Sequence, residues 1–183
     1  MKDTECIYED GFLDDFDPLN LSEDEREKLR QLYYLSREQK FEFAVSKSDS
    51  GFSALFTSRE ENAVSIPTDW YSNGIISLYH SHTNGTLFSE KDFTFLFSGQ
   101  VDKIVLVNSF GFVFVAHIDN GIIPTLDEYS DAVAEIMSSV SEDLFTRCDF
   151  WEWSEEKKFY EREKEISYRI ARHFKWKYEG GAL

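Results

Sequence analysis

The sequence predicts an α/β (α+β) fold in which helices flank a mixed β-sheet. Three observations predict it: a segment with a helix start signal at Ser22, short apolar segments of strand length between residues 41 and 118, and two long segments with helical apolar spacing after residue 125. A chain of 183 residues, 42% of them hydrophobic, is long enough for one domain with a substantial core. We expect about five or six strands.

Composition divides the chain into three parts. Residues 1–21 are acidic with a few apolar positions and predict an N-terminal arm. Residues 22–125 contain the alternation of helix and strand signals and form the predicted core. Residues 126–183 combine helical apolar spacing with dense charge, so we expect a C-terminal helical extension.

The first helix has the clearest start signal in the chain. Ser22 is followed three residues later by Glu25, which is the spacing of a capping box. Acidic residues fill the first turn, and Leu29 and Leu32 lie at helical spacing beyond it. We therefore expect a helix over residues 22–38.

The strands are predicted from aromatic and β-branched enrichment between turn signals. The Asp49-Ser50-Gly51 turn favours a hairpin between the first two strands, and Ser72-Asn73-Gly74 precedes the apolar segment that we expect to be central. The predicted strands cover residues 41–46, 52–58, 75–82, 103–109 and 111–118.

Three further helices follow from local signals. Ser89 is placed to begin an aromatic-rich helix over about residues 90–98, which Gly99 is placed to end. Residues 126–145 and 151–174 have apolar positions at helical spacing, and we expect two long helices there.

Charge and cysteine content restrict the possible partners. The chain has 35 acidic and 19 basic residues and a formal net charge of -16, which would repel nucleic acid and anionic membranes. Such a surface favours either a basic protein partner or simple solubility. There is no apolar stretch of the roughly 20 residues that span a bilayer, and the acidic N-terminus predicts no signal peptide. Cys6 and Cys148 lack the spacing of a disulfide framework or a cysteine zinc cluster, so we expect a cytoplasmic protein.

The residue types that carry chemistry lie around residue 80. His80 and His82 are separated by one residue on a predicted strand and therefore project to the same face. A six-residue loop then leads to Ser89-Glu90-Lys91-Asp92, which places Asp92 in the first turn of the next helix, where its carboxylate can return to the end of the strand. Histidine pairs also occur as hydrogen-bonded core residues, and Ser89 and Asp92 are also typical of a helix N-terminus.

Two imidazoles and one carboxylate form a ligand set that suits zinc and leaves a fourth coordination position open. An open position is typical of a catalytic site, since bound water there becomes acidic and a substrate carbonyl can be polarised. A further carboxylate is needed to move the proton to the leaving nitrogen.

The pattern of His80, His82, Ser89 and Asp92 resembles the motif H-x-H, short loop, S-x-x-D of the JAMM (JAB/MPN) zinc metalloproteases. The resemblance covers roughly residues 22–118, because the order of helices and strands is similar to that family too. Thr83 stands where many members have proline, and the loop before Ser89 is one residue shorter than in the eukaryotic deubiquitinating members. The shorter loop is similar to that of bacterial and phage-associated members.

The resemblance implies zinc-dependent hydrolysis of a peptide or isopeptide bond in a protein or peptide substrate, which could be ubiquitin-like. It implies that His80, His82 and Asp92 bind Zn²⁺ and that Ser89 stabilises the oxyanion.

The resemblance also implies a general base well upstream of the histidines. Glu42, at the start of a predicted strand that follows the first helix, matches the family's layout best. Glu38 is the second candidate, and Glu60 and Glu61 are weaker ones. Glu42 would alternatively be an outward-facing strand residue between two phenylalanines.

Two other functions compete with this one. A non-catalytic JAMM-like binding module in a phage, toxin or defence assembly would use the acidic surface or the aromatic C-terminal segment for contact. A nuclease or deaminase is disfavoured by the net charge and by the missing cysteine ligands.

His117 and His173 lack ligand-spaced partners, so we expect structural roles for both. The aromatic residues from Phe150 onward favour packing of a helix onto its own domain over docking of a partner. Residues 155–165 predict a solvated helix face.

Overall fold

The computed structural model describes residues 16–60, 64, 77–98, 101–119 and 121–183. Several predictions concern residues outside these ranges. They are the order of residues 1–15 including Cys6, the turn at 72–74, the start of the strand predicted at 75–82, the candidate base Glu61 and the helix stop at Gly99.

A mixed sheet forms the centre of the molecule, as predicted. The strands are β1 (Asp17–Pro18), β2 (Ala44–Ser48), β3 (Gly51–Phe52), β4 (Ser77–Ser81), β5 (Lys103–Val107), β6 (Phe112–His117) and β7 (Lys177–Ala182). Their order in the sheet is β1-β7-β6-β5-β4-β2-β3, and the pairs β4–β5 and β1–β7 are parallel while the others are antiparallel.

Within the described ranges, three α-helices pack on this sheet: α1 (Glu23–Gln39), α2 (Leu126–Thr146) and α3 (Glu155–His173). The helix predicted after Ser89 is a 3-10 helix, Asp92–Ser98, and begins two residues later than expected. A second short 3-10 helix, Phe150–Glu152, precedes α3. In the parts of the chain that the structure describes, each helix is too short or too polar to cross a membrane.

The capping box predicted for α1 is present. The Ser22 hydroxyl accepts a hydrogen bond from the Glu25 backbone N–H, and the Glu25 carboxylate accepts one from the Ser22 N–H at 2.8 Å. Both orphan donors at the helix start are thereby satisfied. The helix then buries Leu29 and Leu32 completely against one face of the sheet.

Side-chain alternation along β4 assigns each residue to one of two cores. Tyr79 packs in the smaller core beneath α1. Leu78 packs in the larger, aromatic-rich core that lies between the sheet and α2 and α3. His80 is two residues beyond Leu78, so its side chain projects to the face covered by α2 and α3.

The C-terminal segment is not wholly helical, contrary to our expectation. It ends in β7, which pairs with β6 and, in parallel, with β1. The sequence of β7 contains Gly180 and Gly181, which lower strand propensity and obscured the signal. A Cβ atom at Gly180 would lie 2.8 Å from the Phe16 ring, and one at Gly181 would lie 2.7 Å from Leu19. Glycine is therefore required where the side chains of Phe16 and Leu19, which flank β1, pack against β7.

A buried carboxylate links α1 to the sheet. Glu25 accepts hydrogen bonds from the Tyr79 hydroxyl and, at 2.7 Å, from Lys103 Nζ. Burial by itself raises the pKa of Glu25, but the hydrogen bonds from Lys103 and Tyr79 outweigh it and lower the pKa from 4.5 to about 2. The ionised form of Glu25 therefore stabilises the fold.

Glu25→Gln is expected to lower the free energy of unfolding at pH 7 by about 3 kcal/mol, the equivalent of the pKa shift. Because the folded-state pKa is depressed, this stabilisation is complete above the unfolded value of 4.5 and is lost as the pH falls towards about 2. Urea denaturation at pH 7 and pH 3 should show the difference between wild type and variant shrinking at the lower pH. Glu27→Gln on the exposed side of α1 is the control, and an equal loss there would contradict the assignment.

Candidate metal centre

Three potential ligands converge on the α2/α3 side of the sheet. His80 Nε2 lies 3.3 Å from Asp92 Oδ1, and His82 Nε2 lies 3.5 Å from Asp92 Oδ2. One ligand atom from each of the three residues can be chosen so that all lie within 4.8 Å of one another. Around a tetrahedral zinc ion with bonds of about 2.0–2.1 Å, ligand atoms are about 3.3 Å apart. The observed separations suit a metal ion of this size.

The pairing of β2 with β4 explains why a distant carboxylate lies beside the histidines. Ala44 is the register partner of His80, and the backbone of Phe43 exchanges hydrogen bonds with Ser81. Two residues further along this antiparallel register, Glu42 lies opposite His82. Its side chain therefore points to the same face of the sheet as both imidazoles.

Asp92 is held in place by the residue that begins its turn. The Ser89 backbone N–H and the Ser89 hydroxyl donate to Asp92 Oδ2 at 2.7 Å and 2.8 Å. The Asp92 N–H in turn donates to the Ser89 hydroxyl at 3.3 Å. Ser89 thus caps the 3-10 helix and orients the Asp92 carboxylate towards the histidines, so that the capping role is compatible with a ligand role for Asp92.

Hydrogen bonding defines the tautomer of His82. The Thr86 hydroxyl lies 2.8 Å from His82 Nδ1 and donates its hydrogen to Asn84 Oδ1. Because that hydroxyl has a single hydrogen, it can only accept from His82, which requires the proton on Nδ1. The lone pair of His82 is then on Nε2, the nitrogen that faces Asp92 and can bind a metal.

Thr86→Val is expected to weaken zinc binding by about 10- to 100-fold, because valine keeps the shape of threonine but cannot accept the Nδ1–H of His82. Competition against a calibrated zinc chelator would measure the change. Thr94→Val is a control of the same chemistry, since the Thr94 hydroxyl donates to the Lys91 carbonyl instead. Equal affinities for wild type and Thr86→Val would show that the threonine does not orient the ligand.

The ring nitrogens of His80 also support a metal site at this position. Both of its ring nitrogens are buried, and neither has a hydrogen-bond partner among the residues that the structure describes. Nε2 is close enough to Asp92 but poorly aligned for a hydrogen bond. A buried polar atom without a partner costs free energy, and a metal ion at Nε2 would remove that cost at this atom. The residues present therefore fit a bound metal ion.

The charges of these groups favour a cation. Burial raises the pKa of Asp92, but the neighbouring imidazoles of His80 and His82 outweigh it and hold the pKa well below its usual value. Burial lowers the pKa of His82, but the neighbouring Asp92 carboxylate more than offsets this effect. The pKa of His82 therefore lies above its usual value. Asp92 is therefore ionised at neutral pH and supplies negative charge to the site.

Glu42 is placed near this group, whereas the two described alternatives, Glu38 and Glu60, have exposed side chains. Its side chain is only 6% exposed, and its pKa is raised because burial outweighs the nearby imidazoles of His82 and His80. Glu38 lies exposed near the end of α1. Glu60 is also exposed, and its backbone carbonyl accepts the Glu42 N–H at 3.2 Å. Of the three described candidates, the structure brings Glu42 to the histidines.

The ligands and Glu42 line a cleft of about 500 Å³. Phe159 and Glu163, one helical turn apart on α3, also line the cleft and were not predicted from the sequence. Sequence reasoning also missed Asn108, which is buried and donates to the Gly85 carbonyl at 2.9 Å, thereby anchoring the loop after His82. Local sequence offers no signal for these residues, because Phe159 and Glu163 reach the cleft, and Asn108 reaches the loop, through contacts distant in sequence.

His117 and His173 lie elsewhere, as expected of structural residues. Among the described residues, His80, His82 and Asp92 form the one group of histidine, cysteine or acidic side chains close enough to share a metal ion. His117 ends β6, and the His173 ring packs against Phe174.

No protein-family model matches the chain, and no curated protein matches it significantly.

Proposed function

We propose that this chain is a zinc-dependent hydrolase of the JAMM (JAB/MPN) type that cleaves a peptide or isopeptide bond in a protein substrate. The observation that carries the proposal is the convergence of His80, His82 and Asp92 in a cleft that also contains Glu42. The ligand set favours zinc over magnesium or calcium, which prefer oxygen ligands. The order of elements around the site resembles the family's layout, and a ubiquitin-like protein is one candidate substrate.

Bound zinc would supply Lewis acidity, lowering the pKa of a water molecule to about 7 and polarising the substrate carbonyl. Three protein ligands suffice to hold the ion while leaving a position open to the cleft. His82 would release the proton that Asp92 favours on it and bind as a neutral imidazole whose tautomer is set by Thr86, and Asp92 would contribute the charge.

Glu42 is proposed as the general base and acid. Its carboxylate takes a proton from the attacking water and returns it to the nitrogen of the leaving group. Its position opposite His82 places it beside the ligands without making it one. Burial in the cleft shields Glu42 from bulk water and, in the metal-free site, raises its pKa.

Ser89 is proposed as the oxyanion donor. In this structure its hydroxyl donates to Asp92 Oδ2, so donation to a substrate oxyanion requires rotation about the Cβ–Oγ bond. The Ser89 backbone N–H also donates to Asp92 and would keep the carboxylate oriented after such a rotation.

Metal removal tests the proposal. Tag-free protein dialysed against a mild chelator should retain about one zinc per chain by elemental analysis, as expected for a site with three protein ligands. Cleavage of peptide and isopeptide-linked substrates should fall at least about a hundredfold with a strong chelator, because the metal supplies several kcal/mol, and should return with added zinc.

Two outcomes would contradict this function. Protein that contains no zinc and fails to bind added zinc would exclude the metal site. Zinc binding without cleavage, together with partner binding that is unchanged by the chelator, would favour the non-catalytic binding module.

A further inference from the structure

An aromatic groove lies next to the candidate cleft. We use this name for the groove of about 430 Å³ between the end of α2 and the start of α3. Its aromatic lining is Phe145, Phe150, Trp151 and Phe159.

The aromatic rings of this groove are unusually accessible. Trp151 is 69% exposed, Phe145 54% and Phe159 48%. Phe145 and Trp151 stack with ring centroids 5.8 Å apart, and Phe150 beneath them is buried. Contacts within the chain thus arrange the rings but leave much of their surface in water. Clustered exposed aromatic side chains of this kind are typical of binding surfaces.

Charged residues around the groove are already paired. Lys158 Nζ lies 2.7 Å from the Glu155 carboxylate and 5.2 Å from the Phe150 ring centroid. Arg162 pairs with Glu163 at 3.2 Å. The groove therefore presents apolar ring surface rather than free charge, which favours an apolar ligand group.

The groove and the cleft share one side chain of their walls. Phe159 lines both, and Glu163, one turn further along α3, lines the cleft. An extended polypeptide that reaches the metal ligands and passes over Phe159 would place a neighbouring side chain on the rings of Trp151 and Phe145.

We propose that the aromatic groove binds an aromatic or large aliphatic side chain of the polypeptide substrate, a few residues from the bond cleaved in the adjacent cleft. This inference rests on the proposed hydrolase function, and it adds a substrate class: unfolded or extended segments with an apolar residue at a fixed distance from the scissile bond. The groove supplies ground-state binding, while the chemistry stays with the cleft.

The test uses a random dodecapeptide library selected on zinc-supplemented Glu42→Gln protein, in which cleavage is suppressed. Enriched peptides should share an aromatic or large aliphatic residue at one position. Adding Trp151→Ala should raise their Kd about tenfold, the loss expected for a binding aromatic residue. Adding Tyr34→Ala should leave the Kd unchanged, because Tyr34 is equally accessible, at 66% exposed, but lies on α1.

Kinetics with the same peptides then locate the groove relative to the chemistry. Wild-type protein should cleave them at a bond a constant number of residues from the shared apolar position. Trp151→Ala in the wild-type background should raise KM about tenfold with little change in kcat, as expected for loss of uniform binding.

Absence of enriched peptides, or a Kd and KM that do not depend on Trp151, would overturn the inference while leaving zinc content and cleavage intact. Sedimentation that shows a dimer lost on Trp151→Ala, with peptide affinity unchanged, would overturn it in favour of a second copy of the chain. Protein without zinc that binds the peptides but never cleaves them would instead overturn the hydrolase function and with it the substrate assignment.

Discussion

Asp92→Ala is expected to reduce bound zinc from about one ion per chain to a small residue after dialysis, with affinity at least about a hundredfold lower. Loss of a group that only orients a ligand costs about 10- to 100-fold in affinity, and loss of the ligand itself should cost at least as much. Among the three proposed ligands Asp92 carries the negative charge, since its pKa is held well below the usual range by His80 and His82.

Asp92→Asn tests the proposed ligand role of Asp92 separately from its role in beginning the 3-10 helix. The asparagine side-chain oxygen can still accept from the Ser89 N–H, so the start of the 3-10 helix is kept while the charge is lost. Zinc affinity should fall in both variants, and the thermal unfolding temperature should fall less in Asp92→Asn than in Asp92→Ala.

The control for these variants is Asp131→Ala, an exposed aspartate on α2. It should keep the zinc content of wild type. If Asp92→Ala and Asp131→Ala retain equal zinc, Asp92 is not a ligand and the proposed function loses its main support.

Glu42→Gln is expected to lower kcat by about 10²- to 10⁴-fold, the range typical of a lost general base. Glutamine has the shape of glutamate but cannot accept the water proton, and Glu42 lies in the cleft with a side chain that is almost fully buried. Zinc content should be unchanged, because Glu42 is outside the group of three ligands. Turnover and elemental analysis on the same preparation would measure both.

Glu38→Gln is the matched control, since Glu38 was the alternative base and lies exposed at the end of α1. Its kcat should equal that of wild type. A large loss of turnover in Glu38→Gln but not in Glu42→Gln would reverse the assignment of the base. Loss of zinc in Glu42→Gln would instead indicate that Glu42 supports the metal rather than the proton transfer.

Much of the local structure was predictable from a few neighbouring residues. The capping box of α1 was confirmed because Ser22 and Glu25 are sufficient to form it. The shared face of His80 and His82 follows from alternation along a strand, and the return of Asp92 follows from its place one turn after Ser89. The three proposed ligands could therefore be named together, and the structure brings them into one group.

Other features depended on packing between distant segments. β7 was missed because Gly180 and Gly181 weaken the strand pattern. The Phe16 and Leu19 side chains, from the neighbouring strand segment, occupy the space that a Cβ atom would need at these two positions. The 3-10 form of the helix at Asp92–Ser98 was also not predicted, since both helix types share the same start signals.

By itself the sequence determined the helix start, the period-two placement of the histidines and the ligand spacing, because each depends on backbone geometry and hydrogen bonds within a few residues. Only the tertiary structure decided which glutamate lies beside the ligands, because Glu42 reaches His82 through the pairing of β2 with β4. It also decided that Phe159 joins the cleft to the aromatic groove, since α3 is positioned by the core beneath it. Long-range contacts of this kind depend on the packing of the whole domain, which no local pattern encodes.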